Sequence, residues 1–218
     1  MKDRHLFLFG GGPPFGEELG RKFAAIASAR KGKTAILFIE RDGWREYMPT
    51  CTEVLERNGL TELMYLALTP QPSRTAIEQL LGCNGIVICG GETERYRSHI
   101  VDTVLGSVIQ DMYRKGVPVA GFSAGALIIP ADCVIPAIDN ASNTNLCLQG
   151  LGLLRDAVVS VHYTQWNEEE NLKAAVLRTG VSIGYGMDDG TGVYFMNEEL
   201  VQTEGEGLYR FARQDLQS

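Results

Sequence analysis

Histidine is scarce in this chain: His5, His99 and His162 are the only three in 218 residues. A reaction that needs an imidazole base therefore has few places to find one. Cysteine is present but unpatterned. Cys51, Cys83, Cys89, Cys133 and Cys147 form an odd set with irregular spacing and no C-x-x-C pair. That argues against a disulfide framework and a cysteine zinc site, and it implies reduced thiols in a cytoplasmic protein. Lys and Arg form no run, and the formal net charge is -7. A nucleic-acid partner, which would want a basic face, is not expected. The first apolar run, residues 6–9, is too short for a signal-peptide core or a membrane span, so no membrane association is expected either. No repeat or low-complexity segment is visible.

What is present is ordinary globular material. Apolar residues make up 44% and charged residues 22%, and the length suits one domain over residues 1–218. The order of elements is informative. Residues 6–9 read as a buried strand running into Gly10-Gly11-Gly12-Pro13-Pro14, followed by a helix over 17–29 and a strand over 33–39. After a polar loop at 40–47 come a helix over 50–58, a strand over 62–68, a helix over 74–81 and a very apolar strand over 85–89. A helix over 100–114 leads to a strand over 118–122, and a short helix from residue 124 is cut by Pro130. Further strands are expected at 157–161, 182–187, 192–195 and 208–211, some antiparallel, with a helix at 168–178 among them. This alternation implies an α/β sandwich with a mostly parallel sheet covered on both faces. In such a sheet ligands bind at the carboxyl ends of the strands. That singles out the loops after Phe9, Ile39, Cys89 and Phe122.

One of those loops carries a chemical signature. Gly121-Phe122-Ser123-Ala124-Gly125 matches G-x-S-x-G between an apolar strand and a helix, the setting of a nucleophile elbow. The turn forces the serine hydroxyl out at the strand end, and small neighbours let the backbone fold tightly. The Ala124 amide is a candidate oxyanion donor, and the Gly90-Gly91-Glu92-Thr93 loop is a candidate source of a second. A serine needs a base. His162, at the end of the 157–161 strand, is the one histidine on the same rim; His5 opens the first strand and His99 lies within a helix. The base needs an orienting acid. Asp188 and Asp189 lie beyond the histidine; Asp132, Asp139 and Asp156 lie between serine and histidine, where an α/β-hydrolase esterase would place it. The triple glycine after the first strand departs from G-x-G-x-x-G, so a dinucleotide site is not expected.

Taken together, Gly90-Gly91-Glu92-Thr93, Gly121-Phe122-Ser123-Ala124-Gly125-Ala126, Val161-His162-Tyr163 and Gly184-Tyr185-Gly186-Met187-Asp188-Asp189-Gly190-Thr191 resemble peptidase family S51, the dipeptidase E and cyanophycinase group. The resemblance covers nearly the whole chain. It implies a three-layer fold of the class I glutamine-amidotransferase, flavodoxin-like kind. It implies Ser123 as nucleophile, His162 as base, and the Gly91 and Ala124 amides as oxyanion donors. The cyanophycinase-like pattern G-x-G-x-D-E-x-T points to Asp189 as the acid, one methylene shorter here than the family's Glu. Dipeptidase E has also been described with an acid nearer the serine, for which Asp139 is the counterpart. Glu92 stands where relatives often carry Asn or Asp. Residues 165–170 are acidic where relatives tend to carry arginine. Arg41, Arg45 and Arg95 are the rim cations available to read an acidic substrate, with Glu92, Arg41 and Arg95 the expected substrate contacts. The expected activity is serine peptidase action on small peptides, with aspartyl dipeptides or isopeptides as the target class and no metal or organic cofactor needed. A homodimer is a compatible assembly, and a non-catalytic binding module is the rival outside enzymes.

Overall fold

A computed structural model describes residues 2–12 and 14–217 of the chain; Pro13, within the first glycine loop, lies outside the described residues. The centre is a seven-stranded sheet. Five of its strands are parallel: β1 (His5–Phe9), β2 (Thr34–Phe38), β3 (Leu63–Ala67), β4 (Gly85–Ile88) and β5 (Val119–Phe122). Two more, β10 (Gly192–Met196) and β11 (Glu199–Glu204), extend it antiparallel, giving the order β11-β10-β1-β5-β4-β2-β3. The central strands are apolar throughout because both faces are covered: all five residues of β2 and all four of β4 are buried.

The layers follow from chain direction. Helices α1 (Glu17–Ser28) and α2 (Trp44–Arg57) carry the chain outward toward β3. Helices α3 (Arg74–Leu81), α4 (Thr93–Ile100) and α5 (Val104–Arg114) carry it back. Right-handed crossovers in opposite directions put the two sets on opposite faces. The result is a three-layer α/β sandwich. Its carboxyl edge gathers the loops after β1, β2, β4 and β5.

After the short helix α6 (Ala124–Leu127) the chain makes an antiparallel pair, β6 (Asp132–Ile135) and β7 (Leu146–Gln149), spanned by a 3-10 turn at Ala137–Asp139. A second sheet then forms from β8 (Ala157–Val161), β9 (Ile183–Met187) and β12 (Leu208–Ala212), with helix α7 (Glu169–Thr179) packed on it. The two sheets meet beside β1. The Gly10 N–H donates to Thr191 O at 3.0 Å, and the His162 N–H donates to Gly10 O at 3.3 Å. Gly11 also bridges Asp189.

The structure corrects several sequence expectations. Helix α2 begins at Trp44 rather than residue 50, with Pro49 inside it. Packing of the Trp44 ring on Phe38, centroids 4.4 Å apart, holds the turn that Pro49 weakens. The expected helix over 100–114 starts only at Val104, and a separate helix, α4, which was not expected, precedes it and ends at Ile100. Thr103 separates the two: it accepts the Leu105 N–H at 3.2 Å while its hydroxyl donates to His99 O, so it caps α5. Strands β6, β7 and β11 were not expected: β6 and β7 have only four residues each, and β11 alternates exposed and partly buried residues along a sheet edge.

One cap is wholly tertiary. Helix α1 starts after Gly16, which has no side chain to offer, and the carboxylate of Glu204 from β11 accepts the Glu18 and Leu19 N–H groups at 2.9 and 2.8 Å. A carboxylate at this position also faces the positive end of the helix dipole. Glu204→Ala is therefore expected to lower stability by about 1 kcal/mol, read as a reduced midpoint in thermal or urea unfolding.

Candidate active site

Ser123 sits between β5 and α6 with φ 50° and ψ -120°, a conformation that L-residues rarely adopt. Two features hold it there. Its N–H donates to Phe9 O at 3.1 Å, which ties the turn to β1. Gly125 lets the new helix pass close under β4: a Cβ there would lie 2.2 Å from Ile88 O. The strained serine is thus the product of neighbouring close contacts.

His162 directly follows β8, also with positive φ, 46°. Its Nε2 is 3.0 Å from Ser123 Oγ, and its Nδ1 is 2.5 Å from Asp189 Oδ1. The imidazole is mostly enclosed, with 19% of its side chain exposed, whereas Asp189 is 45% exposed. Trp166 covers the ring at a centroid distance of 4.4 Å, and its own N–H donates to His162 O at 2.8 Å. A hydroxyl, an imidazole and a carboxylate are therefore in series, the arrangement in which a base can take a hydroxyl proton while an acid holds its tautomer.

The other carboxylates have different occupations. Asp188 accepts both the N–H and the hydroxyl of Thr164 at 2.8 Å, and so braces the loop that follows His162. Asp156 accepts the Ser182 N–H at 2.8 Å. Asp139 accepts the Thr93 hydroxyl at 2.5 Å. Burial raises the Asp139 carboxyl above its usual range, while the Thr93 bond and the nearby His162 pull the other way. Asp132 lies in β6. Asp139 and Asp156 are thus engaged away from the imidazole, and among the described residues Asp189 is the one carboxylate hydrogen-bonded to it.

The glycine pair lies against the serine. A Cβ on Gly90 would stand 3.0 Å from Ser123 Cβ, and Gly91 has φ 153°. The next residues begin α4, where Thr93 is fully buried and bonded to Asp139. This fastens the Gly90–Thr93 loop to the 3-10 turn between β6 and β7. Thr93→Val leaves the half-buried Asp139 carboxylate without its partner, so a loss of about 1–3 kcal/mol is expected in urea unfolding. Thr93→Ser should restore most of it.

The expected substrate contacts separate. Glu92 and Arg95 pair with each other at 3.1 Å on the exposed start of α4. Arg41 lies over the Tyr47 ring at 5.3 Å, and the Tyr47 hydroxyl approaches Gly12 in the loop after β1. Arg45 stacks over Trp44 at 4.6 Å. Arg41 is thus the rim arginine that the structure ties to the glycine loop of the site.

Sequence reasoning missed the role of that loop. Gly11 packs directly on the histidine–aspartate pair: a Cβ there would stand 1.8 Å from Asp189 Oδ1 and 2.7 Å from His162 Cε1. The triple glycine after the first strand was the available signal, and it serves imidazole seating. Among the described residues no group of His, Cys, Asp or Glu side chains is arranged to hold a metal ion, and no helix is long and apolar enough to cross a membrane.

Comparison with known proteins assigns the chain to a family. The chain is 29% identical to a cyanophycinase of Trichormus variabilis (strain ATCC 29413 / PCC 7937) over 133 residues, which is 59% of this chain and 44% of that protein. It thus spans about half the length of the curated relatives it matches. In fold it is similar to a peptidase from an acI-B1 Actinobacterium, with TM-score 0.71, 17% identity, and coverage of 96% of this chain and 94% of that one. It is also similar to a putative peptidase E protein from Listeria monocytogenes EGD-e, with TM-score 0.64, 19% identity, and coverage of 94% and 100%. The model of "Peptidase family S51" matches residues 7–203, nearly the whole length, and the chain belongs to that family.

Proposed function

We propose that this protein is a serine peptidase of small peptides in which Ser123, His162 and Asp189 act as a catalytic triad. The observation that carries the reading is the continuous set of contacts from Ser123 Oγ through both nitrogens of His162 to Asp189 Oδ1. Family membership supports peptide hydrolysis as the reaction class.

In this mechanism His162 Nε2 takes the Ser123 proton as Oγ attacks the peptide carbonyl carbon. The carbonyl oxygen becomes an oxyanion that receives the amides of Ala124 and Gly91. Asp189 keeps the imidazole in the tautomer that presents a bare Nε2 and stabilises the imidazolium once it forms. The imidazolium then gives its proton to the leaving amine, the C–N bond breaks, and an acyl-Ser123 ester remains. Water, deprotonated by His162, hydrolyses the ester and returns Ser123. Trp166 shields one face of the imidazole from solvent, which strengthens its interactions with both partners. Aspartyl dipeptides or isopeptides are the substrate class, with the Arg41 guanidinium as the recognition group for the aspartyl carboxylate. Arg95 is already paired with Glu92 and contributes less positive field to the rim.

The test is amine release from a panel of Asp-X, β-aspartyl and neutral dipeptides, with Ser123→Ala run beside the parent and active-site labelling by a fluorophosphonate in parallel. Serine-dependent release with preference for an aspartyl member supports the whole reading. Release that favours neutral members keeps the peptidase and removes Arg41 as its reader. Absence of both release and labelling overturns the assignment.

A further inference from the structure

Between helix α7 and the β6–β7 hairpin lies a cavity of about 150 Å³. Val134, Leu146 and Ala175 give it apolar walls, while Asn145, Glu168 and Asn171 give it polar ones. Arg178 also lines it, in the last turn of α7 and about 15 Å from Glu168 at about 1.5 Å per helical residue.

The polar side chains form a series of hydrogen bonds with a fixed direction. The Ala137 N–H, which can only donate, is accepted by Asn145 Oδ1 at 2.9 Å. The Asn145 amide therefore turns its Nδ2 to Asn171 Oδ1, at 2.7 Å, and Asn171 Nδ2 donates to Glu168 Oε1 at 3.0 Å. The series ends on a carboxylate with one oxygen still free. Glu168 is 5% exposed, and among the described residues it has no ion-pair partner and no donor to Oε2. The only unbonded side-chain polar atoms fully shut from solvent, among the described residues, are the Tyr113 and Tyr163 hydroxyls. Oε2 is unbonded and is not one of them, so it keeps accessible surface, and Glu168 lines the cavity. The one lysine of α7, Lys173, is spent on Glu169 and Glu170 at 2.6 and 3.0 Å. Burial raises the Glu168 carboxyl above its usual range, against the pull of the Asn171 bond, and the charge of Asp139 raises it further. An unpaired carboxylate in such surroundings is costly, and a cation seated on Oε2 would offset that cost.

The polar walls are tied to the catalytic centre from both sides. The Glu168 N–H donates to Tyr163 O at 2.9 Å, and Trp166, just before it in the chain, covers the His162 ring. On the opposite wall Asn145 holds the 3-10 turn whose Asp139 takes the Thr93 hydroxyl.

We propose that this cavity binds one primary ammonium group on an unbranched alkyl stem, with the ammonium on Glu168 Oε2 and the stem along Val134, Leu146 and Ala175. The volume equals about five waters, the room of a lysine side chain. An ammonium suits a single free oxygen because it is a compact point charge. A guanidinium matches both oxygens of a carboxylate in one plane, and Oε1 is already taken by Asn171. A lysyl side chain of a bound peptide and a free alkylamine present the same chemistry. The site does not rest on the peptidase reading, since no triad residue takes part in it.

The test is an NMR titration of the isotope-labelled full chain with n-butylammonium chloride, following the side-chain amides of Asn145 and Asn171, with n-butanol and sodium chloride as controls. Saturable shifts of both amides are expected with butylammonium and with neither control. Glu168→Gln should weaken binding about tenfold, the worth of a charge-assisted hydrogen bond. Ala174→Leu, at an exposed position of α7 that also lines the cavity, narrows it without touching its charge and should weaken binding several-fold. Aspartyl-lysine and aspartyl-norleucine dipeptides, bound to Ser123→Ala so that neither is cleaved, distinguish the sources. Tighter binding of the lysyl member, lost when Glu168→Gln is added, identifies a peptide side chain as the ligand. Butylammonium binding without that preference identifies a free amine; both sustain the site. The proposal is overturned by an absence of saturable shifts at tens of millimolar butylammonium, by equal binding of n-butanol, or by binding that neither variant weakens. A chain inactive on every dipeptide would remove the peptidase reading and leave the butylammonium result standing.

Discussion

Ser123→Ala is expected to lower kcat on any cleaved dipeptide by about 10⁴-fold or more, because nucleophile and base act as one unit and little covalent catalysis survives the loss of either. Residual turnover would come from substrate binding and the oxyanion amides alone. The change should leave stability nearly untouched, since the methyl side chain keeps the φ of 50° that the turn imposes. Ser123→Gly should be equally inactive yet more stable by about 1 kcal/mol, because glycine adopts that conformation without strain. Rate and melting temperature measured on the same two variants therefore separate the chemical role of the hydroxyl from the conformational cost of holding it. Parent-like turnover by Ser123→Ala would exclude the acyl-enzyme route.

The second large effect is expected at a residue with no functional group. Gly11→Ala would place a methyl 1.8 Å from Asp189 Oδ1 and 2.7 Å from His162 Cε1. Neither atom can stay where it is. The Asp189 carboxylate must leave the imidazole, and loss of an orienting acid costs about 10⁴-fold in kcat in comparable triads. Gly11→Ala should thus lower kcat by about 10³–10⁴-fold, with KM changed far less, and should resemble Asp189→Asn in rate. It should also melt lower than Asp189→Asn, because the loop that joins the two sheets is displaced as well. Gly12→Ala supplies the control. Its nearest neighbour would be the Tyr47 hydroxyl at 3.8 Å, an ordinary contact. Near-parent kinetics for Gly12→Ala beside a collapsed kcat for Gly11→Ala is the expected pair of results. A fully active Gly11→Ala would mean that Asp189 does not orient the imidazole.

The parallel core was legible because its signals are local. The apolar runs of β1, β2, β4 and β5 have no polar face, which fits only strands buried on both sides. Helix α3 was expected over the residues it occupies, bounded by Ser73, whose hydroxyl accepts the Ala76 N–H, and by Gly82. Elements governed by distant partners were not legible. Strand β11 carries charge because its edge is solvated, and Glu204 within it caps a helix far earlier in the chain. Trp44 joins α2 through its contact with Phe38, which no local pattern announces.

The same division runs through the site. The elbow around Ser123 is a short-range object: small residues, a strand before and a helix after, all within a few positions. With so few histidines, His162 at a strand end followed almost by elimination. Asp188 and Asp189 are the same residue type in the same turn, and only the resemblance to the family pointed to Asp189. Their physical difference lies in three dimensions, where Asp188 reaches Thr164 and Asp189 reaches His162. Likewise Gly10-Gly11-Gly12 was legible as a tight loop, but its closeness to the imidazole depends on the second sheet packing beside β1. The sequence by itself determined the parallel strands, the serine turn and the candidate base. The contact of Asp189 with that base, and the glycine that makes room for the pair, are visible only in the tertiary structure, since both depend on contacts between segments remote in the chain.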